Sequence, residues 1–204
     1  MIYLNNYGWN DKLSQLKQES TYNALTHGRI SIVHRTCYEV VSENGLFQCE
    51  LTGNMMYGKS DIELPCTGDW VLFQPFDEHK GIIVDMLPRE RTLYRKKNGT
   101  VADKQAIASY VDKAFIVQSL DDNFNVRRAE RFMVQMQEEN INPVLVFNKA
   151  DLGFDEQKVE EQIRHIARQI PVFFTSIHQP QTILQLRESI SAGETVVFVG
   201  SSGV

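Results

Sequence analysis

The rhythm of apolar and polar positions changes twice along the chain. In residues 1–26 the apolar positions Leu4, Trp9, Leu13 and Leu16 are scattered, which predicts one short helix over Leu13–Ala24 in an N-terminal extension with a packing role. From Gly28 onward, short β-rich runs follow one another at 29–34, 37–42, 46–52, 69–75 and 81–87. Turn chemistry separates them, most clearly at Glu43-Asn44-Gly45, since Asn-Gly between alternating apolar residues marks a tight hairpin. Five short strands within residues 27–90 predict a small barrel, with the OB fold as the most frequent five-stranded solution. Such barrels often bind single-stranded or structured RNA.

The second half has a longer period. Ala114–Leu120 is an apolar strand, and Val126–Asn140 reads as a helix with Val126, Ala129, Phe132, Met133 and Met136 on one face. Pro143–Phe147 is the next strand. Asp155 is a candidate cap for a helix striped by Val159, Ile163, Ile166, Ala167 and Ile170. Val172–Phe174 is a strand, Thr182-x-x-Gln185 reads as a capping box opening a helix with Ile183, Leu184, Leu186 and Ile190, and Thr195–Val199 is a last strand. Strand and helix in regular alternation predict a parallel α/β sheet over 107–204.

Between the two halves lies Pro88–Lys97, with five basic residues and one acid. A solvated linker over 91–106 and an RNA phosphate contact are equal readings of that tract, and Asn98–Asp103 is the expected boundary. The candidate RNA contacts are Arg29, Arg35, Arg91, Arg95, Lys96 and Lys97. A net charge of −5 argues against nucleic-acid binding driven by overall charge, but it leaves room for a local patch. No run of about 18 apolar residues is present, so no membrane contact is expected. Met1–Asn10 lacks the basic and apolar regions of a secretory leader, which makes the cytoplasm the expected compartment. Cys37, Cys49 and Cys66 have no C-x-x-C spacing and read as reduced, half-buried thiols rather than as a zinc site.

The chemistry concentrates where Pro143–Phe147 runs into Asn148-Lys149-Ala150-Asp151. Ligands of open α/β sheets sit beyond the carboxyl ends of such strands. An ionised Asp151 is an acceptor only, and guanine offers two adjacent donors, N1–H and the exocyclic amino group. Adenine offers no such pair, so a site of this kind rejects it. Lys149 can lay its methylene stem along the base with its ammonium in water, and Asn148 can tie the loop to its neighbours. Three fixed residue types would arise by chance in about one chain in forty of this length, so the tetrad gains its weight from the preceding strand.

Gly200-Ser201-Ser202-Gly203-Val204 follows the last apolar strand, where a phosphate-binding loop belongs, and supplies the first five positions of the Gly-x-x-x-x-Gly-Lys-Ser/Thr pattern. A Gly-Ser-rich frayed end is the plain alternative. In most GTPases the phosphate loop precedes the Asn-Lys-x-Asp strand, whereas here it follows about fifty residues later. Thr175-Ser176-Ile177 falls where a GTPase has its second guanine loop, with the Ile177 N–H placed to donate to guanine O6.

An OB-like barrel, Arg91–Lys97, Tyr110-Val111-Asp112, Phe124-Asn125-Val126-Arg127-Arg128, the tetrad and the terminal glycine loop occur here in one order. Together, from Gly28 to Val204, they resemble the circularly permuted ribosome-small-subunit-dependent GTPases of the RsgA (YjeQ/YloQ) family. The resemblance implies an OB domain that docks on ribosomal RNA and an incomplete permuted GTPase domain. It also implies a zinc-binding C-terminal domain outside this chain. The parent is then a monomeric GTP hydrolase of late small-subunit maturation. Asn148, Lys149, Asp151, Ser176 and Ile177 would read GTP or GDP, and Gly200, Ser201, Ser202, Gly203 and Val204 would begin the phosphate cradle. Mg²⁺ is expected in the complete site, and catalytic residues are expected outside the chain.

By the same logic these 204 residues are a piece of a longer GTPase that binds GTP weakly and does not hydrolyse it. Tyr110 stands where the family usually has Asn, and Ile177 replaces a commoner Ala. The alternative is a non-enzymatic RNA-binding OB module on an α/β scaffold. A metabolic enzyme has no catalytic Ser, His and Asp set or metal-ligand spacing to support it.

Overall fold

Alternating burial closes the first half into a barrel. In the computed structural model, which describes residues 1–96, 104–121, 124–153 and 156–204, the chain divides into two units, Met1–Val111 and Asp112–Val204. The barrel strands are β1 (Thr26–Val33), β2 (Tyr38–Ser42), β3 (Gly45–Leu51), β4 (Trp70–Asp77) and β5 (Lys80–Met86), closed in the order β1-β2-β3-β5-β4. Pairing of β1 with β4 closes the ring; β3 and β5 run parallel and the other pairs antiparallel. This is the expected five-stranded OB-like barrel. Its interior holds Ile30, Val40, Phe47, Cys49, Val71, Phe73 and Ile83. Burial pushes the thiols of Cys49 and Cys66 up to about 12, so both stay protonated and inert.

The N-terminal extension packs as expected. A 3₁₀ turn at Leu4–Tyr7 and helix α1 (Asp11–Glu19) bring Leu4 and Leu13 against Val41, Trp70, Leu72, Leu87 and Tyr110. Asn10 caps α1 by accepting from the Leu13 N–H at 3.1 Å. The helix stops at Glu19, short of the expected Ala24, because Ser20 is extended and its hydroxyl accepts from the Tyr22 N–H. A single turn, α2 (Gly53–Met56), follows β3.

The basic tract is not an unstructured linker. β6 (Leu93–Lys96) pairs antiparallel with β7 (Lys104–Ala108), and Leu93, Ala106 and Ala108 are buried. Burial alternates in β7, where Ala106 and Ala108 are buried and Gln105 and Ile107 exposed. The boundary expected at Asn98–Asp103 falls on 97–103, outside the described residues. Asp69 is fully buried: it accepts from the Cys66 N–H at 2.7 Å and from Arg89 Nε and Nη2 at 2.9 and 2.6 Å. Tyr110 has φ 53, a left-handed conformation that suits Asn better than Tyr, and its hydroxyl donates to the Pro88 carbonyl at 2.5 Å.

The second unit is a four-stranded parallel sheet of β8 (Lys113–Ser119), β9 (Asn142–Asn148), β10 (Val172–Phe174) and β11 (Val196–Gly200), ordered β10-β9-β8-β11. Its helices are α3 (Val126–Glu138), α4 (Glu156–Ala167) and α5 (Pro180–Glu188). Ile116, Leu145 and Phe147 pack with Ala129 and Met133 of α3 and Val159, Ile163 and Ile166 of α4. Phe115, Val144 and Val146 pack with Leu186 of α5. Both faces of β9 are therefore covered, as its unbroken apolar run requires.

The capping reading of α5 needs correction. The helix opens three residues earlier, with Gln179 rather than Thr182 at the N-cap and Pro180 in its first turn, where a missing N–H costs nothing. Thr182 Oγ1 instead accepts from the Ser176 N–H at 3.1 Å and donates to the Gln179 carbonyl at 2.7 Å. The cap proposed at Asp155 lies outside the described residues.

Candidate functional site at the carboxyl edge of the sheet

Four parallel strands end along one edge, and each hands its chain to a short polar segment: Ser119–Asp121 after β8, Asn148–Asp151 after β9, Thr175–Ile177 after β10 and Gly200–Val204 from β11. Parallel topology alone brings these four together.

Lys149 links two of them. Its backbone is left-handed, φ 62, a conformation uncommon outside glycine and concentrated at functional sites. Its ammonium donates to Asp121 Oδ2 at 2.8 Å and to the Gly203 carbonyl at 2.7 Å. The ammonium was expected in water; these bonds hold it across the site instead. Asp121 is fixed in turn by the Ser119 hydroxyl, which donates to Oδ1 at 2.6 Å.

Asn148 does tie the loops together: its side-chain oxygen accepts from Thr175 Oγ1 at 3.3 Å, and its carbonyl accepts from the Leu120 N–H at 2.9 Å. The Asp151 carboxylate is exposed. Ser176 Oγ donates to Oδ1, and that hydrogen bond holds the Asp151 carboxyl below its ordinary value. At neutral pH Asp151 is thus a pure acceptor with lone pairs facing solvent. Ser176 is itself oriented, because its hydroxyl also accepts from the His178 N–H at 3.0 Å. Ile177 is 76% exposed, so its bulk sits in solvent, and its N–H has no acceptor among the described residues.

The glycine loop is shaped by contact. A Cβ on Gly200 would lie 2.5 Å from the Val117 carbonyl oxygen, which only a backbone shift could relieve. Gly203 has φ +80. Ser201 Oγ accepts from Arg128 Nη1 of α3 at 2.8 Å, while Ser202 is exposed and Val204 half-buried. Sequence reasoning gave no site role to Asp121 or Arg128, and read Thr182 only as a helix cap. The first two could have been found from their position just beyond β8 and in the first turn of α3, at the edge where ligands bind.

The basic candidates separate. Arg29 is corrected: it is 8% exposed, donates to the Gly68 carbonyl at 2.9 Å and to the Tyr7 and Ser109 carbonyls, and lies over the Trp70 ring. A guanidinium so engaged is a buried brace, not a phosphate contact. Arg91 is half-buried, with Nε donating to the Val111 carbonyl at 3.1 Å and Nη1 close to Glu90. Arg35 and Arg95 are exposed, Lys96 ends β6, and Lys97 lies outside the described residues. Among the described residues no three His, Cys, Asp or Glu side chains group as a metal site. Among them, too, no helix is long and apolar enough to cross a membrane.

A five-stranded barrel followed by a parallel sheet in which the glycine-loop strand comes after the Asn-Lys-x-Asp strand defines a permuted P-loop GTPase fold. Two solved structures share it: YloQ, described as a circularly permuted GTPase, with TM-score 0.64, 22% identity, and coverage of 91% of this chain and 63% of that one; and YjeQ from Thermotoga maritima, with TM-score 0.68, 24% identity, and coverage of 87% and 61%. The family model described as RsgA GTPase matches residues 86–204, more than half of the sequence, and the chain belongs to that family. The small ribosomal subunit biogenesis GTPase RsgA 1 of Bacteroides thetaiotaomicron is 74% identical over 198 residues, which cover 97% of this chain and 56% of the relative. The corresponding protein of Methanosarcina acetivorans is 34% identical, with 97% and 53% covered. The chain thus spans about half the length of these curated relatives.

Proposed function

We propose that the protein is a guanine-nucleotide-binding GTPase of small ribosomal subunit biogenesis, the role its relatives' names state for them. The observation that carries this reading is the joined edge: an ionised Asp151 oriented by Ser176, and a Lys149 that bridges the tetrad to Gly203. Asp151 accepts the two adjacent donors of guanine, the Ile177 N–H donates to O6, and the amides of Gly200–Val204 face the phosphates. Catalysis in such enzymes is mainly positioning and charge stabilisation of a water attacking the γ-phosphate. The working form is a cytoplasmic monomer engaging the maturing subunit.

Calorimetric titration with GDP and ADP tests the reading. GDP should be preferred by roughly 10²-fold or more, and equal affinity for the two would overturn it. The pH dependence has a defined sign. Binding needs the ionised carboxylate, and the hydrogen bond from Ser176 lowers the Asp151 pKa below 3.8, so affinity should be flat from neutral pH down through pH 5. Protonation at still lower pH should abolish it.

The barrel is proposed to dock on ribosomal RNA. Arg35 is exposed on a cleft of about 390 Å³ whose lining includes His34, Tyr38 and Gln105, and Arg95 is exposed on β6. If these arginines contact phosphates, the Arg35→Ala/Arg95→Ala variant should lower the slope of log affinity against log salt by about two. An unchanged slope would remove them from the interface. RNA binding without guanine selectivity would instead favour a non-enzymatic RNA-binding module.

A further inference from the structure

The glycine loop leaves its strand early. The pairing of β11 with β8 ends at Gly200 and Val117, and the chain continues as Ser201-Ser202-Gly203, a composition that left to itself behaves as flexible coil. Side chains from two other elements grip it. Lys149 donates from the tetrad to the Gly203 carbonyl at 2.7 Å, and Arg128 donates from α3 to the Ser201 hydroxyl at 2.8 Å. The grips fall on alternate residues, and Ser202 between them is exposed.

Lys149 belongs to the tetrad, but the nucleotide reading gives Arg128 no task. The position of Arg128 is set by its own helix. Asn125 caps α3 by accepting from the Arg128 N–H at 3.1 Å, which holds Arg128 in the first turn. Ala129 and Met133 bury the same helix against the sheet. Arg128 is half-buried beside that stripe, and its guanidinium reaches the residue just past the end of β11. The guanidinium is planar and always charged, so its bond to the hydroxyl is stronger and better directed than a bond between neutral groups. A loop already held in one shape loses less entropy when a ligand arrives.

We infer that Arg128 is a positioning residue for the glycine loop: through the Ser201 hydroxyl it anchors the start of the loop to α3, as Lys149 anchors it at Gly203, so the loop is formed before ligand binds. The purpose of this anchor rests on the nucleotide reading, whereas the anchoring itself is a property of the protein without ligand.

The test uses Arg128→Met, which keeps an unbranched stem and removes the donors, and Ser201→Ala, which removes only the acceptor. Backbone order parameters are measured by NMR relaxation on the ligand-free chain. In the parent the Ser201, Ser202 and Gly203 amides should lie near the rigid value of about 0.85, and in either variant they should fall to about 0.6 or below, with β8 and β9 unchanged. A loop already mobile in the parent, or equally rigid in both variants, would overturn the inference. Titration with GDP and with guanosine then separates the two readings. Arg128→Met should weaken GDP about three- to tenfold and leave guanosine unchanged, since the loop serves the phosphates and not the base. Ser201→Ala should cause a similar loss, and the double variant no more than either single one. Losses that multiply in the double variant, or weaker GDP binding with loop order unchanged, would show that Arg128 acts through its charge alone and would overturn the positioning role. A loosened loop in a chain whose parent shows no guanine preference supports the anchor and overturns the nucleotide assignment.

Discussion

Replacing Asp151 with Asn should weaken GDP binding by about ten- to hundredfold and erase most of the discrimination against ADP, while the melting temperature stays within a degree or two. The carboxylate presents two acceptor oxygens, and the amide turns one of them into a donor that confronts a donor on guanine. One charge-assisted bond is weakened and one is lost, which sets the size of the effect. Stability should barely change, because the Asp151 side chain is exposed and the Asn side-chain oxygen can still accept from Ser176. Xanthine supplies the complementary test: with an acceptor where guanine has its amino group, a xanthine nucleotide should bind the Asn variant better than the parent. Unaltered GDP preference in the variant would sink the assignment of Asp151 as the base reader.

Asp69→Ala should produce the largest loss of stability. Asp69 is fully buried and its partner Arg89 is 11% exposed at the side chain. Burial pulls the Arg89 guanidinium down, but the hydrogen bonds and charge of Asp69 more than offset that pull and leave its pKa raised. Removing the carboxylate leaves a shielded cation and the Cys66 N–H without an acceptor. Breaking a buried pair on one side typically costs about 3–5 kcal/mol. Denaturant unfolding of the first unit would measure it, and a loss below about 1 kcal/mol would show that Arg89 finds other partners. The carbonyls of Ile62 and Leu64, to which Arg89 also donates, are the available ones. The double variant Asp69→Leu/Arg89→Met should lose less than Asp69→Ala, since it removes both charges together.

Much of the fold was legible because its signals are local. Five short alternating runs are enough to suggest a barrel, and apolar runs between amphipathic helices are enough to suggest a parallel sheet. The parts that escaped depend on contacts distant in sequence. Nothing near Arg29 reveals that its guanidinium meets carbonyls at Tyr7, Gly68 and Ser109. β6 was hidden because its pairing partner, β7, lies across residues 97–103, and composition alone does not reveal a pairing. At Thr182 a local rule met a stronger one, since Pro180 with its fixed φ starts the helix first.

The site divides in the same way. Asn148, Asp151 and Ser176 could be named from spacing, and Ser176 bonds Asp151 while Asn148 bonds Thr175 of the same neighbouring loop. The grip of Lys149 on Asp121 and Gly203 could not, because it needs three strand ends side by side.

The strand order also gives the second unit a direction in time. β8, β9 and β10 are contiguous both in sequence and in the sheet, so a chain emerging from its N-terminus can assemble them, and with them the tetrad and its Ser176 support, before β11 exists. β11 then adds at the edge of β8. The half that carries the tetrad can thus serve as a template when the glycine loop arrives. The bond from Lys149 to Gly203 is a late closure, and its formation reports that the last strand has docked in register.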